Sequence, residues 1–520
     1  MTRRHGSLLP TAAGLAAYAL AASWAAWTYR DWINPDAVSY LRNALYWSQG
    51  RFGDAVAGYW SPLFSLCLAP LVAMGFDPAH AGIAVMAVWG AALVVATGVL
   101  VIRLRLLPAG PALAASLLVA ETTVRWGTTL FPDVILAACL MGSAVVLVDP
   151  AVLTSRRRAM LAGVLGGLSY LGKAYGFPFF LVFLPMTLAC FHAPPWRAVV
   201  RAWGLAMAGF AMVAIPWAAA LSIKYETPTI GLVGRINHAI VGPWDPSRNE
   251  LWKPVPGRIT VWEIPETRRY GFWSPLDSVT AFRWQVRLVW THAKQVRDAL
   301  ARFDWLSLGL VLAVVGPFLA HLGDDRLWRR FVLWIAGTFA VFGAGFVFVY
   351  FDYRYVAPFL KPLAIMATFA CADRLASRGV VRVIFVSAVI LSFAAHANVP
   401  FTPYLVEEPH GTAFDNITVD SKPHRVLAHR LAEAGVSGPL ASNFYWGGMF
   451  TSYFMDAAFV GSPAGNDADA VNAELRSVGA RAFLVDPAWP LAPAFERDPA
   501  WSLAMETESA GQRIEVFVRR

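Results

Sequence analysis

The sequence predicts an all-α polytopic membrane bundle of about eleven transmembrane helices plus interfacial helices, with a small C-terminal α/β domain outside the cytoplasm. Three observations carry this. The chain of 520 residues is 57% hydrophobic and 15% charged, where a soluble protein carries about 25% charged residues. Its mean hydropathy is +0.50, and its apolar residues fall in runs near the ~20 residues that cross a bilayer core. The net charge of +9 is unevenly placed: residues 400–520 hold nine Lys/Arg against fifteen Asp/Glu, a net of −6, which leaves +15 on the first 399. That asymmetry divides the chain into a transmembrane part, 1–399, and a tail domain, 400–520. The basic residues sit in loops between apolar runs, which argues against a nucleic-acid partner.

The first span, 8–28, follows the basic start "MTRRHGSLLPTAAG" and is read as uncleaved because its apolar run is long. Ten more are read at 79–102, 109–123, 132–149, 159–173, 176–192, 198–222, 304–322, 331–350, 355–373 and 380–398. Six short basic loops set the orientation. They hold Arg3 and Arg4; Arg103 and Arg105; Arg156, Arg157 and Arg158; Arg197 and Arg201; Arg326, Arg329 and Arg330; and Arg374, Arg378 and Arg382. With this span count all six fall on one side, the cytoplasm, together with the N-terminus. The tail then lies on the other side, as expected for a bacterial inner-membrane protein with a periplasmic domain.

Segment 29–78, the first outer loop, has no full span. "DAVSYLRNALYWSQG" and "SPLFSLCLAPLVAMG" are too short to cross. Asn34-Pro35 and Ser61-Pro62 read as an N-cap followed by Pro at the first helical position, and Gly50 and Gly75 as stops. Both stretches read as interfacial helices. Spans five and six are short for an out-and-back crossing, so their turn, "YLGKAYGF", is expected below the outer surface, with Lys173 in a depression. A long outer loop, 223–303, is basic and aromatic. In the tail, "GPLASNF", "AAFVGSP", "RAFLVDP" and "QRIEVFVRR" read as strands and "ADAVNAELRSVGA" as an amphipathic helix. His410, His424 and His429 read as surface residues. The four cysteines have no metal-site spacing and none lies in the tail, so no disulfide framework is expected there.

Ionisable groups near apolar spans are costly and often mark function. Four fall at the outer end: Asp36 at the front of the first short helix, Asp133 at the start of span four, Lys173 in the shallow turn, and Arg354 at the start of span ten. Each has a plain reading as well, since a carboxylate in a first turn complements the helix dipole and Lys or Arg anchors at an interface. As a set, two carboxylates beside two cations suit transfer chemistry on a phosphorylated lipid. An aspartate takes a proton as general base. Lys and Arg hold a phosphate and stabilise the charge that develops on it. Tyr40, Tyr355 and, from the long loop, Arg235, His238, Arg268 and Arg269 are candidate substrate contacts. The loop's plain reading is a solvated segment against anionic lipid; its sharper one is a flap over the donor phosphate.

Five stretches in order, "PDAVSYLRNALYWSQG" with "GYWSPLFSLCLAPLVAMG", "LFPDVILAACLM", "AGVLGGLSYLGKAYGF" and "DYRYVAPFLKPL", span the membrane part. Together they resemble the GT-C superfamily of membrane glycosyltransferases, in its bacterial branch of protein O-mannosyltransferase and lipid A aminoarabinose transferase-like enzymes. The resemblance implies an inverting transferase with a polyprenyl-phosphate sugar donor and a lipid, polysaccharide or protein acceptor. It maps the family's catalytic aspartate onto Asp36, its second acidic position onto Asp133, and its lysine and late arginine onto Lys173 and Arg354. Many relatives carry two adjacent acids in the first loop, whereas this chain has Asp36-Ala37, so a metal-independent reaction without cofactor is expected. Competing readings are an O-antigen-ligase-like enzyme using the loop Arg and His, a transporter or flippase, and a non-catalytic envelope-assembly protein. No inverted repeat supports the transporter.

Overall fold

The computed structural model describes residues 8–192, 195–243, 251–301, 326–375, 419–509 and 511–520. The chain forms two compact units. The first comprises 1–30, 61–234 and 274–404; the second comprises 31–60, 235–273 and 405–520. The second unit thus takes in the tail and two segments that the sequence reading kept with the membrane part as outer loops.

The first unit is helical. Its described helices are α1 (Leu9–Thr28), α4 (Leu63–Ala73), α5 (Pro78–Leu104), α6 (Ala109–Gly127), α7 (Asp133–Leu147), α8 (Arg156–Gly172), α9 (Gly176–Phe191), α10 (Trp196–Lys224), α12 (Val279–Ala301), α13 (Arg326–Val347) and α14 (Tyr353–Leu375). Nine of the eleven expected spans coincide with helices; those at 304–322 and 380–398 lie outside the described residues. Among the described residues four helices, α1, α5, α10 and α13, are long and apolar enough to cross a membrane. Helix α12 was expected to be loop. It carries five charged side chains, so it has no apolar run to read as a span.

Helix α7 is central, with twelve of its fifteen residues buried. Helices α8 and α10 cross closely because small residues meet backbone there: a Cβ on Gly163 would stand 1.8 Å from the Ala206 carbonyl oxygen, and one on Gly209 2.2 Å from that of Met160. Such close crossings are how helices associate in lipid. Just past the end of α7, Asp149 pairs with Arg103 and with Arg158 at 2.6 Å. Arg201 donates to the Leu153 carbonyl at 2.7 Å, and Arg330 to that of Phe191 at 3.3 Å. Four of the expected basic loops therefore gather at one end of this unit. Asp133 opens α7 at the opposite end, ~20 Å away at 1.5 Å per residue.

The second unit holds a mixed five-stranded sheet, β3 (Leu440–Ser442), β4 (Phe459–Gly461), β5 (Ala482–Val485), β6 (Trp501–Ser509) and β7 (Gln512–Arg519), in the order β4-β3-β5-β7-β6. Strands β4, β3 and β5 are parallel; β7 is antiparallel to β5 and β6. One face buries Phe483, Phe495, Trp501 and Phe517; the other buries Leu427, Leu431, Leu484 and Val516. The four strands and the helix expected in the tail are present, the helix at Ala468–Ser477. Strand β6 and the helix Tyr445–Phe454 were not foreseen. Segment 252–259 touches β4 at its two ends and loops out between them, with Trp252 N–H donating to Val460 O at 2.8 Å and Phe459 N–H to Ile259 O at 2.6 Å. A two-stranded ladder joins β1 (Trp32–Ile33) to β2 (Val419–Asp420).

Helix α2 (Pro35–Ser48) belongs to this unit. The Asn34 side chain accepts from Ala37 N–H at 2.9 Å, Pro35 opens the helix, and Gly50 follows it at φ +70°. Nine of its fourteen residues are buried, so protein, rather than the bilayer surface the sequence suggested, covers much of its apolar face. Helix α4 also departs in detail: Pro62, not Ser61, is its N-cap residue, and no side chain caps it.

Candidate functional site

In the first unit the ends of three helices bring four charges together. Lys173 ends α8 in an extended conformation, which turns its side chain out of the helix. Its Nζ donates a very short hydrogen bond to Asp133 Oδ1 at the start of α7. It also stands 3.5 Å from the centroid of the Tyr355 ring. Arg354 lies in the first turn of α14. Its backbone N–H donates to Asp352 Oδ1 at 3.0 Å, and its Nε is 3.4 Å from Asp352 Oδ2. The guanidinium lies 4.2 Å from the Phe131 ring and 5.2 Å from that of Tyr355. The Asp133 side chain is 3% exposed, against 19% for Lys173 and 11% for Arg354. Charges this deep persist only when paired, and here two carboxylates balance two cations around one tyrosine ring. Burial pushes the Asp352 carboxyl up from its ordinary value, and the adjacent Arg354 guanidinium opposes that rise.

Of the four charges the sequence grouped at the outer end, Asp133, Lys173 and Arg354 are brought together, with Tyr355 beside them. Asp352 was missed, although it stands two residues before Arg354. Its signal was its position, since an Asp just before a helix start accepts from the N–H groups of the first turn. One turn into α14, Ala357, Pro358 and Pro362 face Leu93, Thr122 and Trp126 across a shallow groove with no internal cavity.

The other candidates lie in the second unit. Asp36 is half-buried in the first turn of α2. Tyr40, one turn on, is 6% exposed and meets Trp60 edge-on at 5.0 Å. Arg235 lies 4.0 Å over the Phe272 ring, His238 stacks on Trp273 at 4.3 Å, and Arg268 lies 4.9 Å over Trp262. Arg269 is exposed. Arg258, a basic residue of the same loop, is committed elsewhere. It is buried, 3.0 Å from Asp54 and 3.6 Å from Glu263. Glu263, itself fully buried, accepts from Tyr46 OH, from Ile259 N–H at 2.6 Å and from Thr260 N–H at 3.1 Å. Arg42 joins the same cluster and reaches Asp456 at 2.7 Å.

His424, expected at the surface, is 7% exposed, because its helix, Lys422–Glu433, packs against Tyr445–Phe454 with the ring 5.7 Å from Phe450. His429 is exposed as expected, and His410 lies outside the described residues. Among the described residues, no three His, Cys, Asp or Glu side chains are placed to hold a metal ion.

No protein-family model and no curated protein matches the sequence. Solved structures do match. ArnT from Cupriavidus metallidurans, bound to undecaprenyl phosphate, is 15% identical with a TM-score of 0.55, over 96% of this chain and 97% of its own. The apo state of the same protein gives 14% and 0.53, over 93% of each chain. Both ArnT and the next match belong to the GT-C superfamily. The chain has the GT-C fold. Arabinofuranosyltransferase AftD from Mycobacteria agrees at 14% identity and a TM-score of 0.52, over 96% of this chain; the chain spans 40% of AftD. At these identities the GT-C likeness is one of fold.

Proposed function

We propose that the protein is an inverting membrane glycosyltransferase. It moves a sugar from a polyprenyl-phosphate donor to a hydroxyl of a cell-envelope lipid, polysaccharide or protein at the outer face of the inner membrane. The observation that carries this reading is the Asp133–Lys173 pair beside Arg354 and Asp352. It occurs in a chain with the fold of ArnT, a protein solved with undecaprenyl phosphate.

In this reading Lys173 and Arg354 hold the donor phosphate. An ammonium has three donors, so the bond to Asp133 leaves two for phosphate oxygens. Asp133 fixes the direction of Lys173. Asp36 takes the proton from the acceptor hydroxyl. The freed oxygen bonds to the anomeric carbon from the face opposite the phosphate, and the bond from that carbon to the phosphate oxygen breaks. The electron pair stays on the phosphate, where two cations stabilise it, and polyprenyl phosphate leaves. The chain needs no metal for these steps.

The test is mass spectrometry of the lipid pool and surface glycans in cells lacking the protein. They are complemented with wild type, Asp36→Asn or Lys173→Met at matched expression. Restoration of a missing sugar by wild type alone supports the reading and identifies sugar and acceptor. Restoration by Asp36→Asn removes the base assignment and favours the ligase-like or assembly readings.

A further inference from the structure

Helix α12 buries one face and leaves an unusual one open. Ala281 and His292 are buried; Gln285 Nε2 donates to the Phe348 carbonyl at 3.2 Å, and His292 Nδ1 lies 3.1 Å from that of Val347. The inner face thus grips the end of α13, just before Asp352 and Arg354. On the outer side Val279, Phe282, Val286 and Trp290 are each between 54% and 68% exposed. At about 100° per residue they fall within ~80° of arc. Arg283, Arg287 and Lys294, all exposed, fill the adjacent ~40°.

Over 279–294 a large apolar arc beside a narrow cationic one is the pattern of a helix lying in a membrane–water interface; Arg297, exposed and paired with Asp298, returns to the line of Val279 only in the last turns. With four Lys/Arg and one Asp in twenty-three residues, α12 is not among the helices apolar enough to cross. We propose that α12 lies in that interface, with Val279, Phe282, Val286 and Trp290 in the acyl region and Arg283, Arg287 and Lys294 on anionic phospholipid headgroups. Charge decides the occupant: the cationic stripe lies along the rim of the apolar arc, at headgroup level when that arc is buried. The helix then braces the α13 end from the bilayer.

The experiment uses the full chain in nanodiscs. Single cysteines, Phe282→Cys or Trp290→Cys, are placed in a background with Cys67 and Cys190 replaced by Ser, and labelled with a small fluorophore. Lipids carrying a quencher at shallow or deep positions report depth. Both sites should be quenched at the same shallow depth. Absence of quenching, or depths differing by ~12 Å as eight residues of a crossing helix would give, overturns the proposal. In a second arm, native mass spectrometry counts phosphatidylglycerol retained from mixed nanodiscs. The combined Arg283→Gln, Arg287→Gln, Lys294→Gln variant should lose affinity about fivefold per cation at low salt. Unchanged retention with normal thermal unfolding overturns the headgroup assignment. Neither readout depends on sugar transfer.

Discussion

Lys173 is held by one carboxylate and one ring, and both partners have consequences. Lys173→Met leaves Asp133 buried without its cation, a change that costs about 3–5 kcal/mol in buried pairs. A lower melting temperature should therefore accompany the loss of transfer, and the double variant Lys173→Met, Asp133→Leu should recover stability but not activity. Thermal unfolding of both variants beside the glycan assay checks this. Arg354→Lys keeps the charge but loses the planar fork. If the guanidinium grips phosphate, kcat/KM should fall by one to two orders of magnitude, as a lost charge-assisted bond of about 1.5–3 kcal/mol requires. Asp133, Lys173 and Arg354 were legible because ionisable residues beside apolar runs are rare. His424 was not, because polarity says nothing of which helix lies over it. Burial lowers its pKa to about 4 from 6.5, with Asp420 opposing. The folded state keeps the ring neutral while the unfolded chain protonates near 6.5, so the unfolded state binds more protons between those values. Stability should fall as pH drops from about 6.5 to 4, by up to ~3 kcal/mol. The difference between wild type and His424→Gln in pH-dependent unfolding isolates this group; a parallel pH dependence in both would remove the assignment.

At the scale of elements, the spans were read from the spacing of basic loops and apolar runs, and those signals survive in short helices. Helices α8 and α9, of seventeen and sixteen residues, are bounded by Arg158 on one side and Lys173 between them, so charge marked them where length did not. Helix α12 escaped because its charges break the apolar run, although its period is helical. Strand β6 escaped because only some of its residues face the core. The α8–α10 crossing supplies the expectation at this scale. Gly163→Ala puts a Cβ against the Ala206 carbonyl oxygen, where backbone has little room to yield. Helix α8 should shift from α10, with about 1–3 kcal/mol lost. Because α8 ends at Lys173, donor affinity should weaken while every charged residue stays in place. Gly204→Ala is the control, since a Cβ at that position of α10 meets nothing. Equal stability and donor binding in the two variants would show that α8 absorbs the extra methyl without moving.

At the scale of the whole molecule, the charge change near residue 400 set the boundary that the sequence reading drew between membrane part and tail. It gave no sign that 31–60 and 235–273 would cluster with that tail, because hydropathy records what is buried and not against which distant segment. The cluster around Tyr46 shows how they are joined. Glu263 ties 257–263 to α2 through Tyr46, Arg258 reaches Asp54, and Arg42 reaches Asp456 in the tail. The Tyr46 ring lies within 4.5 to 5.2 Å of three guanidinium carbons, those of Arg51, Arg258 and Arg42. Three cations here rest against Glu263, Asp54 and Asp456, so removing the one fully buried acid leaves positive charge uncompensated. Glu263→Ala should therefore loosen the second unit selectively. Hydrogen exchange should accelerate in 35–48, 257–263 and the tail around 445–456, while the core of α7 in the first unit keeps its protection. Glu263→Gln keeps one carbonyl oxygen for the two backbone N–H groups and turns its NH2 toward the Tyr46 oxygen, whose O–H can donate to the Gly257 carbonyl, and should show a smaller acceleration in the same segments. Acceleration throughout both units would mean that the cluster supports the entire chain. Unchanged exchange in α2 would mean that its other contacts, the β1–β2 ladder among them, already hold the helix.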